Sequence, residues 1–320
     1  MTLLTKLRKH RAGNISIVFI LVQLGCIIAY ALFPQSFPYL SSNNIQVLLK
    51  SIPPLTILVM GVNILMIAGE FDLSVGSCFV MTSYILATSY NAGVPVVVSV
   101  LFALAVGAFI GWINGTIVVK TKIPSFIATL GAMMFWRGIV LLYSREQTAA
   151  FWPGGFFEDL FNSPVLGPIQ TQFLWLLLIS VGAYLLLERH KLGNHFYGVG
   201  GNRDAAIAVG VNADRVKVLA FVLVGMAAAF SGVVSTTRVH SVSPDQGKGL
   251  ELQAIAACVI GGTNLMGGQG TVLGAFLGAC LLFTIQNILL LVRAPGSYLD
   301  LFMGVLIVLA VIFNQMTRKD

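Results

Sequence analysis

The side chains of this chain that could do chemistry fall into two groups: isolated polar residues inside apolar runs, and one polar loop. Asn63, Glu70, Asp72, Asn114, Arg137, Gln253, Asn264, Gln286 and Asn287 interrupt long apolar stretches. Each is costly in hydrocarbon, so each is expected to face the interior of a helix bundle. Glu70 and Asp72 sit at a break between two such stretches, with Gly69 and Gly76 on either side. That pattern reads as a bend that lines or gates a path. It reads equally as a helix cap, with the Asp72 carboxylate taking backbone N–H groups ahead of Leu73-Ser74-Val75; the cap is the simpler reading and the two are compatible. The polar loop is Gly200-Gly201-Asn202-Arg203-Asp204-Ala205-Ala206, within a stretch that also carries Arg189, Lys191, Arg215 and Lys217. Paired glycines, an Asn/Asp cluster and alanines predict a short capped helix. Such a helix at a membrane face can receive force from a soluble partner.

Reaction chemistry has no comparable support. No Gly-Lys-Ser/Thr follows a glycine run, and Gly198-Val199-Gly200-Gly201 is not a dinucleotide fingerprint. The histidines (His10, His190, His195 and His240) form no paired spacing, and the cysteines (Cys26, Cys78, Cys258 and Cys280) lie singly in apolar runs. No catalytic residue, metal site or cofactor is assigned to this chain. Acidic residues are missing from the middle of every apolar run, which argues against ion-coupled transport. The expectation is therefore a transport component, not an enzyme, whose energy comes from another protein.

The elements that must position these residues are membrane helices. The 320 residues are 57% hydrophobic and 10% charged, with a mean hydropathy of +0.89. A soluble domain is nearer a quarter charged, so the expected fold is an all-α integral membrane protein. The net charge of +7 reflects basic loops and is no sign of nucleic-acid binding. Ten spans are predicted, at about 14–33, 46–67, 74–90, 94–118, 124–142, 171–187, 216–236, 252–266, 271–292 and 297–314. The first follows Lys6, Arg8, Lys9 and Arg11 and is too long for a signal-peptide core, so it is read as retained. The third and eighth are short, which marks discontinuous helices beside a transport path. With both termini in the cytoplasm, thirteen of the nineteen Lys and Arg fall inside: Lys6, Arg8, Lys9, Arg11, Lys120, Lys122, Arg189, Lys191, Arg203, Arg215, Lys217, Arg318 and Lys319. A single transmembrane domain over 1–320 results, with a cytoplasmic loop at 188–215.

Smaller features complete the reading. Gly107, Gly111 and Gly115 recur every four residues, as do Gly270, Gly274 and Gly278, and predict close helix packing within one subunit or between two. The outer loop 144–170, rich in aromatics, is expected to be an interfacial re-entrant loop. Arg137 is expected to snorkel to the outer interface. Arg238, Asp245, Lys248 and Glu251 are expected to form a charged outer rim, suited to an external soluble partner or simply solvated. The Gly-to-Gly spacing of seven in 69–76 recurs in 267–274, either a trace of duplicated halves or chance.

Four segments resemble the permease subunits of bacterial ABC importers for monosaccharides, the ribose-type branch. They are Ala68-Gly69-Glu70-Phe71-Asp72-Leu73-Ser74-Val75-Gly76-Ser77, the loop from Tyr197 to Gly210, the run from Glu251 through Gly261-Gly262-Thr263-Asn264-Leu265-Met266-Gly267-Gly268-Gln269-Gly270, and, more weakly, Pro124-Ser125-Phe126-Ile127-Ala128-Thr129-Leu130-Gly131. Glu70-Phe71 ahead of Asp72 departs slightly from the family pattern. The resemblance implies an inner-membrane complex: two permeases, the second a copy or a paralogue, ATPase subunits carrying ATP and magnesium, and a periplasmic binding protein that delivers a small sugar for alternating access. It places the ATPase against Gly200, Gly201, Asn202, Arg203, Asp204, Ala205 and Ala206, and the binding protein above Arg238, Asp245 and Lys248. Asn63, Phe71, Asp72, Phe126, Gln253 and Asn264 are the candidate pathway residues, since sugars favour aromatic faces with amide or carboxylate partners. The rival reading is a stand-alone solute channel or facilitator, which needs no coupling helix.

Overall fold

Alternating apolar runs and turn signals produce a helical bundle. The computed structural model describes residues 13–295 and, beyond them, residues 298, 301, 302, 304, 305, 308 and 312. Lys6, Arg8, Lys9, His10, Arg11, Arg318 and Lys319 lie outside the described residues, as does much of the expected span 297–314. The helices are α1 (Gly13–Leu32), α2 (Ser42–Ile67), α3 (Val75–Asn91), α4 (Val96–Thr121), α5 (Ser125–Ser144), α6 (Gly155–Asn162), α7 (Thr171–Tyr184, continued by a π-helical turn Leu185–Arg189), α8 (Lys191–Gly201), α9 (Arg203–Ala208), α10 (Ala213–Val239), α11 (Leu250–Ile260) and α12 (Val272–Leu291). Four short strands, β1 (Ala149–Ala150), β2 (Pro164–Leu166), β3 (Ile169–Gln170) and β4 (Ser241–Val242), pair antiparallel as β1–β4 and β2–β3.

Among the described residues seven helices are long and apolar enough to cross a membrane: α1, α2, α4, α5, α7 with its π turn, α10 and α12. The predicted third and eighth spans are α3, with 17 residues, and α11, with 11. At about 1.5 Å per residue, α11 is roughly half as long as a hydrocarbon core of about 30 Å is thick. The shortfall is made up by irregular chain at 68–74 before α3 and at 243–249 before α11. Backbone of that kind is tolerated at membrane depth only where protein or a water-filled cavity surrounds it.

α10 is the central post and packs against α2, α3 and α4. Its contact with α4 is backbone on backbone: a Cβ on Gly111 would strike the Phe221 carbonyl, and one on Gly225 the Gly107 carbonyl. The first glycine stripe therefore serves packing within the chain. The second is shorter than expected. The Thr271 side chain accepts from Gly274 N (3.0 Å) and starts α12 there, so Gly270 precedes the helix. Gly274 and Gly278 face the Gly261 and Ala257 carbonyls at the end of α11.

The segment 144–170 is a folded cap, not a re-entrant loop. β1 pairs with β4, and Phe157 and Phe161 of amphipathic α6 join Phe151, Trp175 and Phe230 in one aromatic cluster. Trp152 stacks on His240 at 4.0 Å, and His240 Nε2 meets Glu158 Oε1 at 2.8 Å. This cap closes one end of the bundle; α8, α9 and the α4–α5 turn occupy the other.

Candidate functional site

At the α8/α9 end the irregular segment 68–74 is built by simple rules. α2 stops at a Schellman cap: Glu70 N–H donates to the Leu65 carbonyl and Gly69 N–H to the Met66 carbonyl. Gly69 takes φ +82°, open to glycine at little cost. The chain then runs irregularly, and its polar groups are satisfied by side chains from neighbouring helices. Phe71 N donates to Ser125 Oγ (3.1 Å) and Leu73 N to Thr129 Oγ1 (3.0 Å), two hydroxyls on one face of α5. Asp72 Oδ1 accepts from Ser74 N (2.7 Å) and Ser74 Oγ (2.6 Å). Asn114 Nδ2 of α4 donates to Asp72 Oδ2 (3.2 Å) and Ser74 Oγ (2.8 Å). Asp72 thus closes the turn into α3 but does not cap the helix as expected: the N-cap is Ser74, and the one backbone N–H that Asp72 accepts is that of Ser74 itself, ahead of the first helical turn. Glu70, buried, forms an ion pair with Lys217 of α10.

The loop 200–206 splits between two helices. Gly200 and Gly201 end α8, and Asn202 caps α9 by accepting from Ala205 N (3.0 Å). α8 has its own cap, His190 Nδ1 accepting from Leu192 N (3.2 Å). Arg203 reaches back to Asp214 at the start of α10 (2.9 Å, exposed). Ala206 is buried, while Ile207 and Val209 stand 46% and 80% exposed beside the charged Arg203 and Asp204. A polar cleft of about 360 Å³ adjoins them, lined among others by Glu70, Lys122, Ser125, Arg203, Asp214 and Lys217.

The remaining candidates are scattered. Asn63 is buried in α2, where it accepts from Thr263 Oγ1 (2.6 Å) and faces the Thr271 carbonyl (3.4 Å). It ties together the turn between α11 and α12. Asn264 closes that turn by accepting from Met266 N (3.0 Å). Phe71 and Gln253 are half-buried and Phe126 is exposed. Asn287 makes a reciprocal amide pair with Asn44 at 2.8 and 3.0 Å, clasping α12 to α2.

In the segment 243–249, whose Gly247 packs backbone on backbone against Gly76 at the start of α3, Asp245 and Lys248 form an exposed pair, and the Lys248 hydrogen bond and charge hold the Asp245 carboxyl below the usual carboxylate range. Arg238 and Glu251 are not free members of that rim. Arg238 turns inward to Ser51 Oγ (3.3 Å), and Glu251 Oε2 lies against Gly76, 2.6 Å from where its Cβ would stand. Arg137 also departs from expectation: its Nη1 donates to the Pro244 (2.8 Å) and Gln246 (2.9 Å) carbonyls. Two loop carbonyls give the guanidinium a partner inside the protein, so it holds the 243–249 segment instead of reaching for the interface.

Sequence reasoning gave no individual side-chain role to Lys217, Ser125, Thr129 and Tyr197. The four-residue spacing of Ser125 and Thr129 was a visible signal of one polar helix face. Lys217 stands 147 positions from Glu70, and nothing local marks that pairing.

The family described as "Branched-chain amino acid transport system / permease component" matches residues 44–311. The chain is also similar to the Autoinducer 2 import system permease protein LsrC of Enterobacter sp. (strain 638), 37% identical over 281 residues, covering 88% of this chain and 81% of that protein. The LsrC proteins of Salmonella choleraesuis (strain SC-B67) and Yersinia enterocolitica serotype O:8 / biotype 1B are each 34% identical, over 297 and 282 residues; they cover 92% and 88% of this chain, and 85% and 77% of those proteins. No solved structure matches. A membrane bundle matched along most of its length, with a capped helix pair at one end, belongs to this family of permease components: the chain is the multi-pass, non-enzymatic inner-membrane subunit of an ABC importer, working with separate ATPase and substrate-binding subunits.

Proposed function

We propose that the chain moves a small sugar, or a signalling molecule of similar size, into the cytoplasm by alternating access, paired with a second permease that is a copy or a paralogue. The ribose-type segments and the relatives named for autoinducer 2 import support this solute class over the amino acids in the family description. One transmembrane domain of ten spans over 1–320, with both termini and the 188–215 loop in the cytoplasm, agrees with the alternation of the described helices between the two ends.

The ATPase, with its ATP and magnesium, presses on Gly200, Gly201, Asn202, Arg203, Asp204, Ala205 and Ala206. One observation carries this: Ile207 and Val209 expose apolar surface next to those charged residues, in a stretch that also holds Arg203, Arg215 and Lys217. Such surface calls for a protein cover. The path runs beside the 68–74 loop, with Phe71, Phe126 and Gln253 at its wall. Asn63, Asp72 and Asn264 fix the loops that border it. The binding protein docks over Asp245 and Lys248, with Arg238 beneath them.

Co-purification tests the reading. The ATPase should come down with this chain, and Arg203→Glu with Asp204→Arg should weaken both its capture and solute uptake at least fivefold while the chain still inserts and folds. Undiminished capture by that variant would remove α9 as the docking element. Passage of solute down a gradient through the reconstituted chain alone would favour the facilitator instead.

A further inference from the structure

Three glycine-bearing segments, far apart in sequence, meet at the α8/α9 end with no side chain between them. They are the end of α2 at Ile67–Gly69, the end of α8 at Gly200–Gly201, and the turn between α11 and α12 at Gly267–Gly268. Gly268 N donates to the Ile67 carbonyl at 2.8 Å, so the first and third segments are joined directly. Gly200 lies over that bond. A Cβ placed on it would collide with the Ile67 carbonyl oxygen, and would also sit 2.8 Å from Gly268 N and 2.9 Å from the Ala68 carbonyl carbon. A Cβ on Gly267 would be 2.7 Å from Gly69 Cα and 2.8 Å from the Gly200 oxygen; one on Gly268 would be 2.6 Å from Gly201 Cα. Three main chains are thus in mutual van der Waals contact. Tyr197, one turn back on α8, adds a side-chain tie by donating from Oη to the Gly270 carbonyl at 2.9 Å.

We infer that Gly200, Gly267 and Gly268 are positioning residues that transmit displacement of the α8–α9 pair to both discontinuous regions of the bundle at once. The inference rests on the proposed docking of the ATPase at α9. Its physical basis is the stiffness of such a contact. A side chain at an interface absorbs motion by changing rotamer. Main chain against main chain has no such slack, so α8 cannot shift without carrying its neighbours along. One neighbour is the end of α2, which leads through 68–74 into α3. The other is the turn that joins the half-length helix α11 to α12. Of the four segments that carry the family resemblance, the three strongest meet here. The recurring Gly spacing in 69–76 and 267–274 acquires a meaning as well. The two segments are not equivalent in structure, because Gly69 caps a helix while Gly267 lies inside a turn. Their first glycines are contact partners.

The test is the ratio of solute transported to ATP hydrolysed, measured on the assembled importer in proteoliposomes. Tyr197→Phe, outside the docking segment, should leave assembly and basal hydrolysis within twofold of the parent while transport per ATP falls two- to fivefold. Gly198→Ala is the control on the same helix: its nearest neighbour would be the Ala206 Cβ at 3.9 Å, and it should behave as the parent. A loss of structure alone would lower assembly and hydrolysis together. An assembled Tyr197→Phe importer with an unchanged ratio overturns the inference. Gly200→Ala, read only on the complexes that assemble, should lower the ratio at least tenfold, and an unchanged ratio overturns the inference equally. Failure of the docking reading looks different, since the Arg203→Glu, Asp204→Arg variant would then keep its ATPase.

Discussion

At the scale of single residues, the charges in this bundle act chiefly on the chain itself. Glu70 and Lys217 are both largely shielded, with side chains 10% and 18% exposed. Removing one partner of such a pair strands the other, at about 3 kcal/mol once the residual exposure is allowed for. Lys217→Met should therefore lower the thermal unfolding midpoint of the purified protein in detergent by several degrees. The exchange Glu70→Lys with Lys217→Glu should recover at least half of that loss, and a double-mutant cycle would isolate the coupling. A Lys217→Met protein that melts like the parent would show the pair to be idle. Asp72 differs in kind, because it accepts hydrogen bonds from three groups. Asp72→Ala should cost about 2 kcal/mol by leaving those donors without an acceptor, and Asp72→Asn visibly less, on the same melting measurement.

At the scale of elements, glycine spacing decides which helices touch. The α4–α10 contact has no room for a methyl at Gly111, whereas nothing lies within 4 Å of a Cβ on Gly131 in α5. Gly111→Ala should force the two backbones apart, cost about 1–3 kcal/mol and reduce the yield of folded protein. Gly131→Ala should be neutral or stabilising by up to about 1 kcal/mol, through helix propensity. Yield and melting temperature of the two variants, prepared side by side, check the contrast. α9, with six residues, depends on its cap. Asn202→Ala should weaken that helix by about 1 kcal/mol and lower hydrolysis stimulated by the binding protein more than basal hydrolysis.

At the scale of the whole molecule, the two ends have different characters. One carries the strand-paired aromatic cap, the other the short helices, the polar cleft and the basic residues Lys120, Lys122, Arg189, Lys191, Arg203, Arg215 and Lys217. In the proposed orientation the second end is cytoplasmic. Single cysteines at Lys122 and at Lys248 should therefore react with a membrane-impermeant thiol reagent from opposite sides, Lys122→Cys only from the cytoplasmic side. Labelling of both from one side would break the topology. The native cysteines are all buried, which keeps the background low.

Much of this architecture was already written in the order of residues. Hydropathy and turn signals placed every described membrane helix to within a few residues, because a segment that must satisfy its own backbone in lipid needs an unbroken apolar run. The shortness of α3 and α11 was legible for the same reason, and so was the capped helix after Gly201. The sequence could not say which distant groups would meet. The Glu70–Lys217 pair, the inward turn of Arg137 and Arg238, and the contact of Gly200 with Gly69 and Gly267 depend on how the helices cross. Crossing is set by side-chain and backbone fit over whole faces, and local periodicity does not encode that fit.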